Sequence, residues 1–191
     1  MRNPAPKEWK DDEWSQGYIA DYKPFSFVDG EGVRCSLYVS GCLFQCPGCY
    51  NRAAQSFSYG HPYTQSLENQ ILSDLSKEYV QGLSLLGGEP FLNTSIILPL
   101  VSRMREMFGD KKDIWCWTGY TFEELLVETS DKLQLLAEMD VVVDGRFRLE
   151  EKDLGLAFRG SRNQRIINVP ASLEKGRVIL MGASHSSPES V

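Results

Sequence analysis

The sequence predicts a single α/β domain built on a mainly parallel sheet, and three observations carry that expectation. Short apolar runs of strand length recur along the chain. Between them stand longer stretches whose apolar residues fall three or four positions apart, the spacing of a helix face. The chain has 191 residues, 42% hydrophobic and 24% charged, which suits one globular unit with a core that needs no disulfide staples. Strands alternating with helices imply βα units with right-handed crossovers.

Residues 1–17 are charged and dotted with proline, and are expected to form a flexible N-terminal arm. Residues 34–40 alternate, with Cys35, Leu37 and Val39 on one face of a strand. Leu67, Ile71, Leu75 and Tyr79 make the stripe of a first helix. A strand over 82–86 follows, and then a helix carrying Ile97, Leu100, Val101, Met104 and Phe108, with Pro99 limiting how early it becomes regular. Residues 113–117 and 140–143 are compact apolar runs suited to a buried sheet, separated by short helices over 122–127 and 133–137. Two more strands are expected over 165–169 and 177–180. The stretch 181–191 is poor in core-forming residues and reads as a disordered tail, leaving 18–180 as the folded domain.

In a parallel sheet, ligands gather where the carboxyl ends of the strands meet. The segments after the first four expected strands are 41–50, 87–90, 118–120 and 144–145, so four unusual sequences are expected on one rim. The formal net charge of −6 disfavours sequence-blind attraction to phosphate backbones or anionic membranes. No stretch approaches the roughly 18 consecutive apolar residues of a spanning helix, and the polar start lacks the apolar region of a signal peptide. A cytoplasmic protein is expected, where disulfides are rare, so the five cysteines are to be read as core residues, metal ligands or redox groups.

Cys42, Cys46 and Cys49 stand in a C-x3-C-x2-C loop with Pro47 and Gly48 in the turn. Structural zinc takes four protein ligands, and ordinary four-iron clusters take four cysteines. A site with three leaves one metal position open, as a catalytic centre needs. Cys35 stands as the possible fourth ligand of a zinc or closed-cluster site, against its reading as a core residue; three inert core cysteines are a further alternative. Cys116, between Trp115 and Trp117, reads as core.

The cysteine loop, followed by Tyr50-Asn51 and later by Gly87-Gly88-Glu89-Pro90, resembles the radical S-adenosylmethionine (SAM) enzymes. The stretches 27–34, 38–42, 46–51, 86–90, 114–120, 143–145 and 158–165 together resemble, within them, the family that activates anaerobic ribonucleoside-triphosphate reductases. The resemblance covers about residues 18 to 170. It implies a partial (β/α) barrel of radical-SAM type and a [4Fe-4S] cluster on Cys42, Cys46 and Cys49, with SAM on the open iron. It further implies that Gly48, Cys49, Tyr50, Gly87, Gly88, Glu89, Thr118 and Asp144 contact the cofactor.

The implied chemistry is reductive cleavage of SAM to a 5′-deoxyadenosyl radical, which takes hydrogen from a glycine of the reductase large subunit, in a C-terminal loop. No catalytic side chain beyond cluster and SAM is implied. A low-potential electron donor such as flavodoxin is the implied second partner, with no nucleic acid and no membrane. Arg159, Arg162 and Arg165 form a basic loop that either is solvated or meets a carboxylate or the partner. Cys35 and Cys116 are too few for a second four-cysteine cluster, which disfavours activases with ferredoxin-like inserts. A small-molecule radical-SAM enzyme, a zinc-binding module and an electron carrier remain the rival readings.

Overall fold

A computed structural model describes residues 3–182 of the chain. Seven strands, β1 (Tyr18–Ser26), β2 (Val33–Val39), β3 (His61–Pro62), β4 (Val80–Gly87), β5 (Asp113–Trp117), β6 (Val141–Asp144) and β7 (Arg165–Asn168), form one sheet in the order β3-β1-β2-β4-β5-β6-β7. The four central strands, β2, β4, β5 and β6, are parallel, and β1 and β7 flank them antiparallel. The crossovers run through α2 (Gln65–Leu75), α3 (Thr94–Phe108) and the pair α4 (Phe122–Leu125) and α5 (Ser130–Glu138). The α/β expectation with a parallel centre is borne out.

Local chemistry sets the helix boundaries. Thr64 caps α2 by accepting from Leu67 N–H at 3.2 Å. Thr121 and Glu124 form a reciprocal capping box at α4. Asn168 caps α6 (Val169–Lys175), and Gly176, with φ +62°, ends it in the left-handed region. Helix α2 stops at Leu75, so Tyr79 lies beyond it and is exposed. Pro99 lies inside α3, which is already regular from Thr94.

One face of the sheet, with Leu37, Val39, Leu83, Leu85, Ile114 and Val142, packs against Ile71, Leu75, Leu100, Met104 and Leu135 of the helices. The other face carries a smaller cluster of Trp115, Val141 and Val143, joined by Trp117, Phe158 and Ile166. Among the described residues no helix is long and apolar enough to cross a membrane.

Two expectations change, and one strand was not anticipated. Residues 3–17 do not float: they contain α1 (Asp11–Trp14), and Trp9 is 1% exposed inside the main core. Proline and charge masked the one large apolar side chain that anchors the segment. Strand β1 escaped the pattern because Asp21, Lys23 and Pro24 interrupt its apolar positions, as an edge-side strand tolerates. Residues 177–180 supply an isolated bridge, Leu180 to Ile167, rather than a strand. Of the tail expected over 181–191, residues 183–191 lie outside the described residues.

Candidate active site

The parallel centre puts the ends of β2, β4, β5 and β6 on one edge. Val39 stands opposite Gly87 and Trp117 opposite Val143, so the following loops leave the sheet side by side. They enclose a cavity of about 180 Å³. The rim inferred from the sequence is the rim of this cavity.

The cysteine loop is fastened at its base and turned in its middle. Gly41 N–H donates to Ala54 C=O at 2.7 Å, and Cys42 N–H to Gln55 C=O at 3.1 Å. Cys49 N–H closes a turn on Cys46 C=O at 3.2 Å, with Gln45 in the left-handed region at φ +52°. Cys42, Cys46 and Cys49 all line the cavity. Burial holds the thiols of Cys42 and Cys46 above their usual range; for Cys42 the neighbouring Glu89 adds to it. Metal binding at these thiols therefore releases protons. Among the described residues no group of three or more His, Cys, Asp or Glu side chains is gathered tightly enough for a single metal ion.

The glycine pair at the end of β4 lines the same cavity, and here the absence of side chains is forced. Gly87 has φ +105°, and a Cβ there would sit 2.6 Å from Val39 O. A Cβ on Gly88 would sit 2.5 Å from Gly41 O and 2.8 Å from Ala54 O. The two loops touch backbone to backbone, with Gly88 N–H donating to Val39 C=O at 2.7 Å and Glu89 N–H to Gly41 C=O at 2.8 Å. Three sulfur donors on one cavity fit an iron–sulfur cluster.

Glu89 follows the glycine pair and also lines the cavity. Its side chain is 0% exposed, and both carboxylate oxygens are occupied. Oε1 accepts from Thr118 Oγ1 at 2.8 Å and Phe91 N–H at 3.1 Å, and Oε2 from Gly119 N–H at 2.8 Å. Burial pushes its carboxyl up to about 7, against the pull of those three bonds and of Lys132. Glu89 thus ties the β4 rim to the β5 rim through Thr118 and Gly119.

Of the other expected residues, Cys49, Tyr50, Gly87, Gly88, Glu89 and Thr118 line the cavity, whereas Gly48 and Asp144 do not. Gly48 borders a separate pocket that it shares with Cys46, Cys49 and Arg52. The Asp144 carboxylate accepts from Phe122 N–H at 2.8 Å and from Arg165 at 2.5 and 3.1 Å. Those bonds hold it at the start of α4.

The wall also includes Asn51, Trp117, Phe147, Gly160 and Gln164, none of which was singled out as a contact. Gln164 and Gly160 belong to the 158–165 motif, where the arginines had drawn attention. Gln164 Oε1 accepts from Gly160 and Ser161 N–H at 2.9 and 3.2 Å, and its amide donates to Gly145 C=O at 3.0 Å. The amide side chain thus shapes the wall. Arg165 pairs with Asp144 and Glu123, and Arg162 with Asp153 at the surface. Cys35 is buried in β2, with Sγ donating to Pro24 C=O at 3.2 Å, and Cys116 is buried in β5; neither lines the cavity. Both take their core readings.

Known proteins resemble the chain along most of its length. The sequence profile of a family described as "4Fe-4S single cluster domain" matches residues 28–167. An anaerobic ribonucleoside-triphosphate reductase-activating protein of Vibrio cholerae is 48% identical over 147 residues, 75% of this chain and 92% of that protein. A protein of the same name from Escherichia coli K12 is 45% identical over 148 residues, 75% and 93% of the two chains. One from Enterobacteria phage T4 is 42% identical over 147 residues, 75% and 88%.

Proposed function

We infer the activity from a premise: this chain belongs to the family of anaerobic ribonucleoside-triphosphate reductase-activating proteins and carries their 4Fe-4S single cluster domain. It is an activating enzyme of an anaerobic ribonucleoside-triphosphate reductase. The observation that carries the finer reading is the shared cavity of Cys42, Cys46 and Cys49 and the glycine wall at Gly87 and Gly88.

In that reading the three cysteines hold a [4Fe-4S] cluster and leave one iron open to SAM. When bound, cluster and SAM supply the one-electron cleavage of the sulfonium and the hydrogen abstraction that leaves a radical on a glycine of the reductase. The chain's own residues bind, orient and exclude water. Gly87 and Gly88 offer backbone groups at close range, because no Cβ intervenes. Tyr50, Trp117 and Phe147 supply apolar wall, which shields a reactive centre from solvent.

Glu89 holds two walls of the site at fixed separation through Thr118 and Gly119. No side-chain acid or base is required, in keeping with only two histidines in the chain. Curvature of the sheet into a partial (β/α) barrel, with 18–180 as the radical-SAM domain, belongs to the same proposal. So do a glycine-bearing C-terminal loop of the reductase large subunit as substrate, and an electron donor of flavodoxin type.

The test is electron paramagnetic resonance on an anaerobic mixture of iron-reconstituted chain, SAM, strong reductant and reductase large subunit. A glycyl-radical signal that needs every component and vanishes with Cys46→Ala is the expected result. A cluster signal responsive to SAM with no glycyl radical overturns the substrate. Zinc in place of iron overturns the catalytic reading.

A further inference from the structure

We propose that residues 5–17 are a strap that fixes the cysteine loop in place, with Trp9 as a positioning residue beneath it. The proposal rests on the reading of Cys42, Cys46 and Cys49 as cluster ligands. Phe44 lies between the first two of these cysteines and is 1% exposed. It works as a wedge: its ring meets Tyr120 edge-on with centroids 5.0 Å apart, and the Arg146 guanidinium lies 4.7 Å over it. A Cβ on Gly119 would collide with the same ring. The backbone of the loop closes on itself through the Cys49–Cys46 turn, which leaves Phe44 to be placed by side-chain packing.

Trp9 supplies part of that packing from outside the rim. Its ring stands edge-on to Phe44 with centroids 4.9 Å apart and edge-on to Tyr120 at 6.2 Å. The strap is fastened on either side of this contact. Lys132, 0% exposed, donates to Trp9 C=O at 2.5 Å and to Glu128 at 2.8 Å, while Glu128 accepts from Lys7 N–H at 3.1 Å. Further along, Ser15 Oγ donates to Asn93 Oδ1 at 2.9 Å. The Asn93 amide in turn donates to Ser40 C=O and Glu89 C=O, each at 3.0 Å. Ser40 immediately precedes the cysteine loop and Glu89 ends the glycine wall, so one strap braces both sides of the cavity.

A positioning role separates from a merely structural one by iron retention. Full-length protein is reconstituted anaerobically, and iron release to a chelator is timed beside the melting temperature of the iron-free chain. Trp9→Ala is expected to release iron roughly tenfold faster, the scale on which residues supporting metal ligands act. Trp9→Phe, which keeps an aromatic edge, is expected to restore slow release.

Leu75→Ala, in the core of α2, is expected to lower the melting temperature while leaving release unchanged. Should Trp9→Ala fail to fold, Trp9→Leu carries the same expectation. Wild-type release from folded Trp9→Ala, or release from Leu75→Ala as fast as from Trp9→Ala, overturns the strap. A wild-type chain that takes up no iron overturns instead the cluster reading on which the strap depends.

Discussion

Adding one methyl group at Gly88 tests the central claim about the site, that two loops meet there backbone to backbone. In Gly88→Ala the new Cβ would sit 2.5 Å from Gly41 O, whereas ordinary contact begins at 3.4 Å, so a retreat of 0.9 Å is required. Neither obstacle is a flexible side chain. Gly41 C=O accepts from Glu89 N–H at 2.8 Å, and Ala54 C=O, also too close, accepts from Gly41 N–H at 2.7 Å. Overpacking costs about 1–3 kcal/mol, and weakening one or two backbone hydrogen bonds adds about 1 kcal/mol each.

A total of about 2–5 kcal/mol lowers the melting temperature of a chain of this size by roughly 4–20 °C. Because Gly41 precedes Cys42, the same movement displaces the first cysteine. Calorimetry of the iron-free chain gives the stability change, and iron per chain after anaerobic reconstitution gives the effect on the site. A melting temperature within about 2 °C of wild type, together with full iron loading, refutes the reasoning.

Cys35→Ala should leave iron per chain unchanged, because Cys35 lies within β2 and faces Pro24 rather than the cavity; loss of iron would make it a ligand after all. Lys132→Met strands Glu128 in the interior, at a cost of about 3–5 kcal/mol and a fall in melting temperature of roughly 10 °C. The double variant Lys132→Met/Glu128→Leu should recover most of that fall in the same melt. The bonds from Arg165 at 3.0 and 2.7 Å hold the Glu123 carboxyl below its ordinary 4.5. Its contribution is therefore present above that value in the unfolded chain and is lost as pH falls through the lower folded one. Glu123→Gln should accordingly flatten the acid limb of a melting-temperature profile between roughly pH 6 and pH 3. An unchanged limb would assign acid lability to other carboxylates.

The legible part of the fold was the part governed by short-range periodicity. Strands β2, β4, β5 and β6 are apolar runs bounded by turn residues, and their order with intervening helices dictates a parallel centre. Strand β1 was not legible, because Pro24 and two charges are tolerated beside the sheet edge and erase the alternation. The docking of residues 3–17 was equally hidden: one indole decides it, and the pocket that receives Trp9 is assembled from Phe44 and Tyr120, far apart in the chain.

Within the site, the cysteine loop, the glycine pair and the shared rim follow from the sequence, since residue type and strand direction suffice to place them. The roles of Glu89, Asp144, Gln164 and Trp9 do not. An acid after two glycines reads the same whether its oxygens face a cavity or accept from Phe91 in its own loop and from Thr118 and Gly119 on another rim. Asp144 likewise meets its partner, Arg165, across the β6–β7 pairing. Spacing along the chain thus determined which chemistry the rim can hold. Which polar groups remain free to take part was decided by contacts between distant segments, because a buried carboxylate or amide must find its partners wherever the tertiary structure brings them.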